Sequence, residues 1–393
     1  MPFSLYVLAV AVFAMGTSEF MLAGLVPDIA ASFDVSIGSA GLLTSAFAIG
    51  MIVGAPLMAA LARRWPARTT LRLFVLGFAI VHIAGAVTTS FTLLLFTRVI
   101  AALANAGFLA VALSTAATLV APARKGRALA VLLSGTTIAT IAGAPSGALI
   151  GTLLGYRATF WTIALLCLPA AIGIAKGIPA DAGESTQDTP VPVTLQIEIA
   201  QIMKPRLMVV ILLAALVNAA TFATFTFLAP IVTGTAGLEE LWVPVVLALF
   251  GAGSFVGVTV AGRFSDRRPG SVIAVCGPLL LLGWIALATQ AGHTVALLFL
   301  VFTQGALAFA LGSTLIARVL YESEGAPTMG GAYATAALNI GAAGGPAIAA
   351  ATLSSQAGDL GPAWASSLLV AIALVIALPR LRVIAPRVGQ AIR

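Results

Sequence analysis

Run after run of about twenty apolar residues, parted by short polar breaks, fills these 393 positions. A bilayer core about 30 Å thick takes about 20 such residues per helix, so the chain's length counts membrane helices and not soluble domains. The pattern places spans near residues 4–26, 40–62, 70–90, 91–121, 127–152, 158–178, 207–232, 241–262, 270–290, 294–317, 328–352 and 363–379. Hydrophobic residues make up 60% of the chain and charged residues 8%, too few charges to cover a soluble globule of this size. The expected class is an all-α integral membrane protein.

The excess positive charge of +7 would point to nucleic acid in a soluble protein; here its placement reports orientation, and no nucleic-acid partner is expected. With the N-terminus cytoplasmic, eighteen of the twenty Lys and Arg residues fall on the inner side. Arg157 alone is left outside and Arg98 lies within a span, so both termini are expected in the cytoplasm. The outer loops carry Asp28, Asp34, Glu239, Glu240 and Asp359. The first 26 residues have no Lys or Arg ahead of the apolar run and continue past the length of a signal peptide core, so they read as the first span. Cys167 and Cys276 fall inside different spans, a placement that suggests neither a disulfide framework nor a metal site.

One long polar stretch, with Pro179, Asp181, Glu184, Asp188, Pro190 and Pro192, divides the chain near its middle. It sets expected boundaries at 1–178 for a first six-helix bundle, 179–206 for a cytoplasmic linker, and 207–393 for a second bundle with a short cytoplasmic tail. Within the linker, residues 195–203 read either as an amphipathic helix on the inner leaflet or as a short extended segment. A shift of 203 positions superimposes Phe47, Gly50, Val53, Gly54, Arg64 and Pro66 on Phe250, Gly253, Val256, Gly257, Arg267 and Pro269. That is an internal repeat. Two repeats of six helices predict pseudo-symmetric bundles around a central cavity, exposed by rocking to one side at a time.

The residues at the repeated loops and on spans 4 and 5 resemble the major facilitator superfamily, and within it the twelve-helix drug:proton antiporters. The run from Gly262 through Asp266, Arg267 and Arg268 to Pro269 is similar to the family's gate signature, in which the aspartate and neighbouring basic residues latch the inner side. The first-half copy has Arg63 and Arg64 there, with Arg63 where the aspartate belongs, which inverts the charge. Arg98 matches the arginine of the family's membrane-embedded motif, with Ala102 in place of its usual glycine. Gly143, Pro145 and Gly147 resemble the antiporter signature, in which small residues allow close helix approach and the proline leaves a carbonyl unpaired. The runs Gly16–Phe20, Ala102–Ala110 and Ala332–Ile340 look like those of actinobacterial chloramphenicol-resistance exporters. That resemblance implies a bacterial inner-membrane protein, multi-pass and monomeric. It would exchange a small amphipathic drug for protons among membrane lipids, driven by the proton gradient, with no bound cofactor.

A charge inside hydrocarbon is costly, so Glu19 and Arg98 are the first candidates for proton coupling. Both fall about 10 Å from the expected outer ends of their spans, seven residues at about 1.5 Å each. A carboxyl's proton affinity there is set by burial against a nearby guanidinium, and a substrate that alters the balance would couple its own passage to the proton's. The rival reading is a charge pair that merely pins two helices. Asn105 lies two turns deeper on the face of Arg98; Asn218, Phe222 and Phe225 recur at helical spacing on span 7; Tyr333 and Asn339 share span 11. These six are candidate substrate contacts, with a hydrogen bond to a neighbouring helix as the alternative for Asn105 and packing as the alternative for the aromatics. His82 on span 3 reads as a histidine satisfying a local hydrogen bond, with proton relay as the rival.

Catalysis is not expected, since two separated histidines and no repeated acidic motif offer no nucleophile, base or ligand set for an integral membrane enzyme. There is no G-x-x-x-x-G-K-[ST] phosphate loop either. Export of sugars, nucleosides or amino acids stays open beside drug export, because periodicity does not separate them.

Overall fold

The computed structural model describes residues 1–62, 66–121, 124–179, 201–264, 268–323 and 330–381. Among them twelve helices are long and apolar enough to cross a membrane. The first six are α1 (Phe3–Phe20), α2 (Ile37–Ala62), α3 (Ala67–Val87), α4 (Phe91–Thr118), α5 (Lys125–Ile138, continued by Ala144–Leu154) and α6 (Tyr156–Gly177). The second six are α7 (Pro205–Thr226), α8 (Trp242–Phe264), α9 (Pro269–Gln290), α10 (Thr294–Glu322), α11 (Gly330–Leu353) and α12 (Gly361–Ala377). No strand occurs among the described residues. Two compact units divide the chain, 1–188 and 189–393. The expected linker helix at 195–203 falls mostly outside the described residues, which resume with a 3₁₀ turn at Gln201–Met203.

Pairing inside each unit follows one scheme. In the first, α1 packs on α5 and α6, α2 on α4, and α3 on α4 and α6; in the second, α7 packs on α11 and α12, α8 on α10, and α9 on α10 and α12. The glycines of the 203-residue shift make close pairs in both units. A β-carbon would stand 2.7 Å from the Val99 carbonyl oxygen at Gly50, 2.0 Å from the Phe302 oxygen at Gly253 and 2.0 Å from the Ala306 oxygen at Gly257. Lipid tails are as apolar as leucine, so helices in a bilayer associate by close backbone contact, and small residues four apart supply it. The outward positions hold large apolar side chains instead: Ile80, Phe96, Leu165, Leu282, Phe299 and Val375 are all exposed, as a lipid-facing surface requires.

Prolines decide where three of the expected spans depart from continuous α-helix. Pro230 has no N–H to give the Thr226 carbonyl, and α7 ends at Thr226, followed by a short turn at Leu228–Pro230 and a π-helical turn at Ile231–Thr235. Pro145 likewise leaves the Ile141 carbonyl without its α-helical donor, and a π-helical turn occupies Ala139–Gly143, inside what reads in sequence as one uniform span. Ahead of Pro27, α1 closes at Phe20 and tightens into a 3₁₀ turn at Met21–Gly24.

Candidate functional site

Three polar side chains meet in the lipid-embedded interior of the first unit. Arg98 on α4 donates from Nη1 to the Ser18 hydroxyl at 2.7 Å and from Nη2 to the Ser18 carbonyl at 2.8 Å. The fork of the guanidinium thereby grips side chain and backbone of one α1 residue at once, a geometry that a lysine's point charge lacks. Ser18 Oγ also lies 2.7 Å from His82 Nε2 on α3. The other ring nitrogen, Nδ1, is 2.8 Å from the Phe78 carbonyl oxygen. A carbonyl only accepts, so Nδ1 carries the proton, and in the neutral ring Nε2 accepts the proton of Ser18. Ser18, His82 and Arg98 are at most 1% exposed.

Aromatic rings close the cluster on its other sides. The guanidinium carbon of Arg98 sits 4.6 Å from the centre of the Phe47 ring on α2, within cation–π range. The His82 ring lies 4.2 Å from Phe78 and 5.8 Å from Phe160 of α6, centre to centre. Among the described residues, Nε of Arg98 has no hydrogen-bond partner.

Glu19, the residue after Ser18, is partly buried. Its charge is felt by Arg98, yet the two make no ion pair within 4.0 Å; the hydrogen bonds of the arginine go to Ser18 instead. Ser18 was not singled out by its sequence, and His82 stood there as a local hydrogen-bond former. The readable signal was depth. His82 lies five residues from the α3 end of the α3–α4 turn and Arg98 seven residues from the α4 end, so both polar groups sit at similar depth.

α5 backs α1 along this whole stretch. The two run parallel, and β-carbons added at Gly135, Gly143 and Gly147 would meet the Ala9 carbonyl oxygen at 2.3 Å, Thr17 Oγ1 at 2.7 Å and the Met21 β-carbon at 2.7 Å. Gly143 thus presses on Thr17, next to Ser18, and Gly147 on Met21, two residues beyond Glu19; Pro145 lies between the two glycines at the start of the second α5 segment.

The remaining candidates are distributed as follows. Asn105, 8% exposed, donates to Met51 Sδ at 3.6 Å across the α4–α2 contact. In the second unit Asn218 of α7 donates to the Leu338 carbonyl of α11 at 2.6 Å, and Asn339 donates to the Thr335 carbonyl of its own helix at 3.0 Å. Phe222 and Phe225 are buried in a run of rings: Phe222 to Phe225 at 6.0 Å, Phe225 to Phe250 at 4.9 Å, Phe250 to Phe309 at 6.1 Å. Tyr333 is 5% exposed. Of the gate residues, Arg63, Arg64, Asp266 and Arg267 lie outside the described residues; Arg268 is exposed and precedes α9. α10 continues to Glu322, and Arg318 near its end pairs with Glu322 and stacks 4.6 Å over the Tyr321 ring. Among the described residues no three His, Cys, Asp or Glu side chains gather as metal ligands would.

Known proteins match this chain over nearly its whole length. Over 379 residues, 96% of each chain, it is 67% identical to a Streptomyces lividans protein named chloramphenicol resistance protein. It is 28% identical over 356 residues, 91% of this chain and 90% of the other, to the inner membrane transport protein YdhP of Escherichia coli K12. A bacterial homolog of the human lysosomal transporter Spinster, solved inward-facing and unoccupied, shares the fold with a TM-score of 0.72 at 18% identity, covering 97% of this chain and 94% of that one. The sequence profile of the Major Facilitator Superfamily matches residues 8–346. A multi-pass membrane protein with this helix pairing and these relatives is a transporter and not an enzyme, and the chain belongs to the major facilitator superfamily.

Proposed function

We propose that the chain exports a small amphipathic antibiotic, with chloramphenicol the first candidate, in exchange for protons. The observation that carries the reading is a guanidinium sealed inside a lipid-embedded bundle with a carboxyl in its electrostatic reach and no ion pair between them. An ionisable group in hydrocarbon costs several kcal/mol, roughly 2.5–3.5 on insertion scales, and such groups mark proton and substrate paths. Glu19 is the proton carrier in this reading, and Arg98 biases its protonation, so that drug arrival and proton release are linked. The name of the 67% identical relative supports the drug.

Asn105 in the first unit, and Asn218, Phe222, Phe225, Tyr333 and Asn339 in the second, are assigned to substrate contact. Asp266 with Arg267 and Arg268, and Arg63 with Arg64, are assigned to the inner gate, and Gly143, Pro145 and Gly147 to the flexing of α5 against α1. The protein works as a monomer in the bacterial inner membrane with both termini cytoplasmic, using the proton gradient and no cofactor.

Drug accumulation in cells with and without the protein, with and without a proton uncoupler, tests the reading. Chloramphenicol should accumulate less in producing cells until the uncoupler is added, while sugars and nucleosides are unaffected; equal drug accumulation in every condition rejects it. Glu19→Gln should insert normally and lose uphill export. Normal export driven by a pH gradient in that variant removes Glu19 as the carrier.

A further inference from the structure

We infer that Ser18 and His82 are positioning residues for proton coupling: through the Ser18 hydroxyl, His82 holds the Arg98 guanidinium on α1 and off the Glu19 carboxylate. The inference rests on the reading of Glu19 and Arg98 as the coupling pair. In a medium of low dielectric a guanidinium and a carboxylate one residue's reach apart attract strongly, and the expected result is a direct, bidentate pair. The structure has none. What opposes it is a set of competing bonds arranged head to tail. The Phe78 carbonyl fixes Nδ1–H of His82 at 2.8 Å, which leaves Nε2 as an acceptor. Nε2 takes the proton of Ser18 at 2.7 Å, which turns the lone pairs of Ser18 Oγ toward Arg98 Nη1 at 2.7 Å. The Ser18 carbonyl then accepts from Nη2 at 2.8 Å, so both arms of the fork are occupied.

Each link constrains the next. The imidazole packs against Phe78 and Phe160, and among the described residues its ring supplies the side-chain acceptor that Ser18 Oγ meets. With Arg98 held in this way, Glu19 is left an acid that gains or loses its proton without breaking an ion pair. Without the hold, the guanidinium is free to swing to Glu19 and lock it as the anion. The pairing of Ser18 and His82 therefore acts on coupling and not on the substrate path.

The test separates proton-driven from downhill transport in everted membrane vesicles, with acid inside or with no pH gradient, by the uptake of radiolabelled chloramphenicol added outside, with Ser18→Ala, Ser18→Thr, His82→Leu, His82→Gln and Glu19→Gln measured at equal protein abundance. Ser18→Ala and His82→Leu should lose about tenfold or more of pH-gradient-driven transport, the size expected for one lost hydrogen bond to a charged group, while downhill exchange stays within about twofold of the unmodified protein. Ser18→Thr keeps the hydroxyl and His82→Gln keeps an acceptor, so both should retain coupling. Parallel loss of the two activities in Ser18→Ala and His82→Leu assigns a merely structural role and overturns the inference. Full coupling in both variants alongside an uncoupled Glu19→Gln overturns it as well. Coupled transport by Glu19→Gln itself removes the underlying reading of the carboxyl, a result distinguishable from the other two.

Discussion

A methyl group at Gly257 meets backbone, and the size of its effect follows from the contact. Its carbon would stand 2.0 Å from the Ala306 carbonyl oxygen, 2.8 Å from the carbonyl carbon and 2.9 Å from the α-carbon. A carbon and a carbonyl oxygen approach no closer than about 3.3 Å even in weak C–H···O contacts, so α8 and α10 must part locally by about 1 Å. No side chain can swing aside to absorb that, because the obstacle is the α10 main chain. Overpacking a well-filled interior costs about 1–3 kcal/mol. For a unit of this size each kcal/mol lowers Tm by about 2–4 °C, so Gly257→Ala should unfold about 4–8 °C below the parent for a mid-range cost of about 2 kcal/mol. Gly312 of α10 is the control: a β-carbon there meets nothing within 4 Å, and replacing a helical glycine by alanine gains about 0.5–1 kcal/mol. Thermal unfolding in detergent, followed by tryptophan emission to which the buried Trp284 contributes, reads both. A Gly257→Ala protein as stable as the parent would refute the reasoning, since the two helices would then have room that their backbone spacing denies them.

Other outcomes follow from the same structure. Gly143→Val should push Thr17 and the adjoining Ser18 out of place, at a cost of about 1–3 kcal/mol and with drug resistance lost, whereas Gly344→Val, which meets open space, should leave resistance unchanged; minimum inhibitory concentrations distinguish them. Phe225→Leu keeps an apolar side chain beside Phe250 but removes the ring, so chloramphenicol binding, read by fluorescence quenching, should weaken several-fold while Tm falls only by the few degrees of a small cavity, and unaltered affinity would assign Phe225 to packing alone. A double-mutant cycle on Arg318→Gln and Glu322→Gln should give a coupling above the roughly 1 kcal/mol of a solvent-exposed i, i+4 pair in thermal unfolding, because the two side chains are only 10% and 15% exposed; a smaller coupling would show that water screens the pair.

How far the sequence carried the fold depended on what each feature answers to. The spans were readable because length and hydropathy answer to the bilayer alone; α8, expected at 241–262, runs Trp242–Phe264, and α9, expected at 270–290, runs Pro269–Gln290. The π-helical turns were not readable, since a proline at 145 or 230 announces a missing donor without saying how the backbone accommodates it. Depth exposed Glu19 and Arg98 as costly charges, because depth counts residues along one helix. The bonds of Arg98 to Ser18 and of Ser18 to His82 depend on how three helices are turned about their axes, and a single sequence leaves that rotation unspecified. For the same reason Asn218 and Asn339 looked alike in sequence, while one bridges two helices and the other bonds within its own.

The π-helical turn in α5 has a geometric use. Gly135 and Gly143 are eight residues apart, and at about 100° per residue an unbroken α-helix would set them about 80° out of line. One extra residue taken up in the turn removes about 100° of that rotation, leaving the two within about 20° of each other. Both glycines do abut α1, at Ala9 and Thr17. Deleting a single residue between 139 and 143 would therefore rotate everything beyond it, carrying Gly147 and Gly151 around the helix and presenting larger neighbours to Met21 and Leu25. The bulge works as a phase corrector, keeping two half-helices in step along one seam.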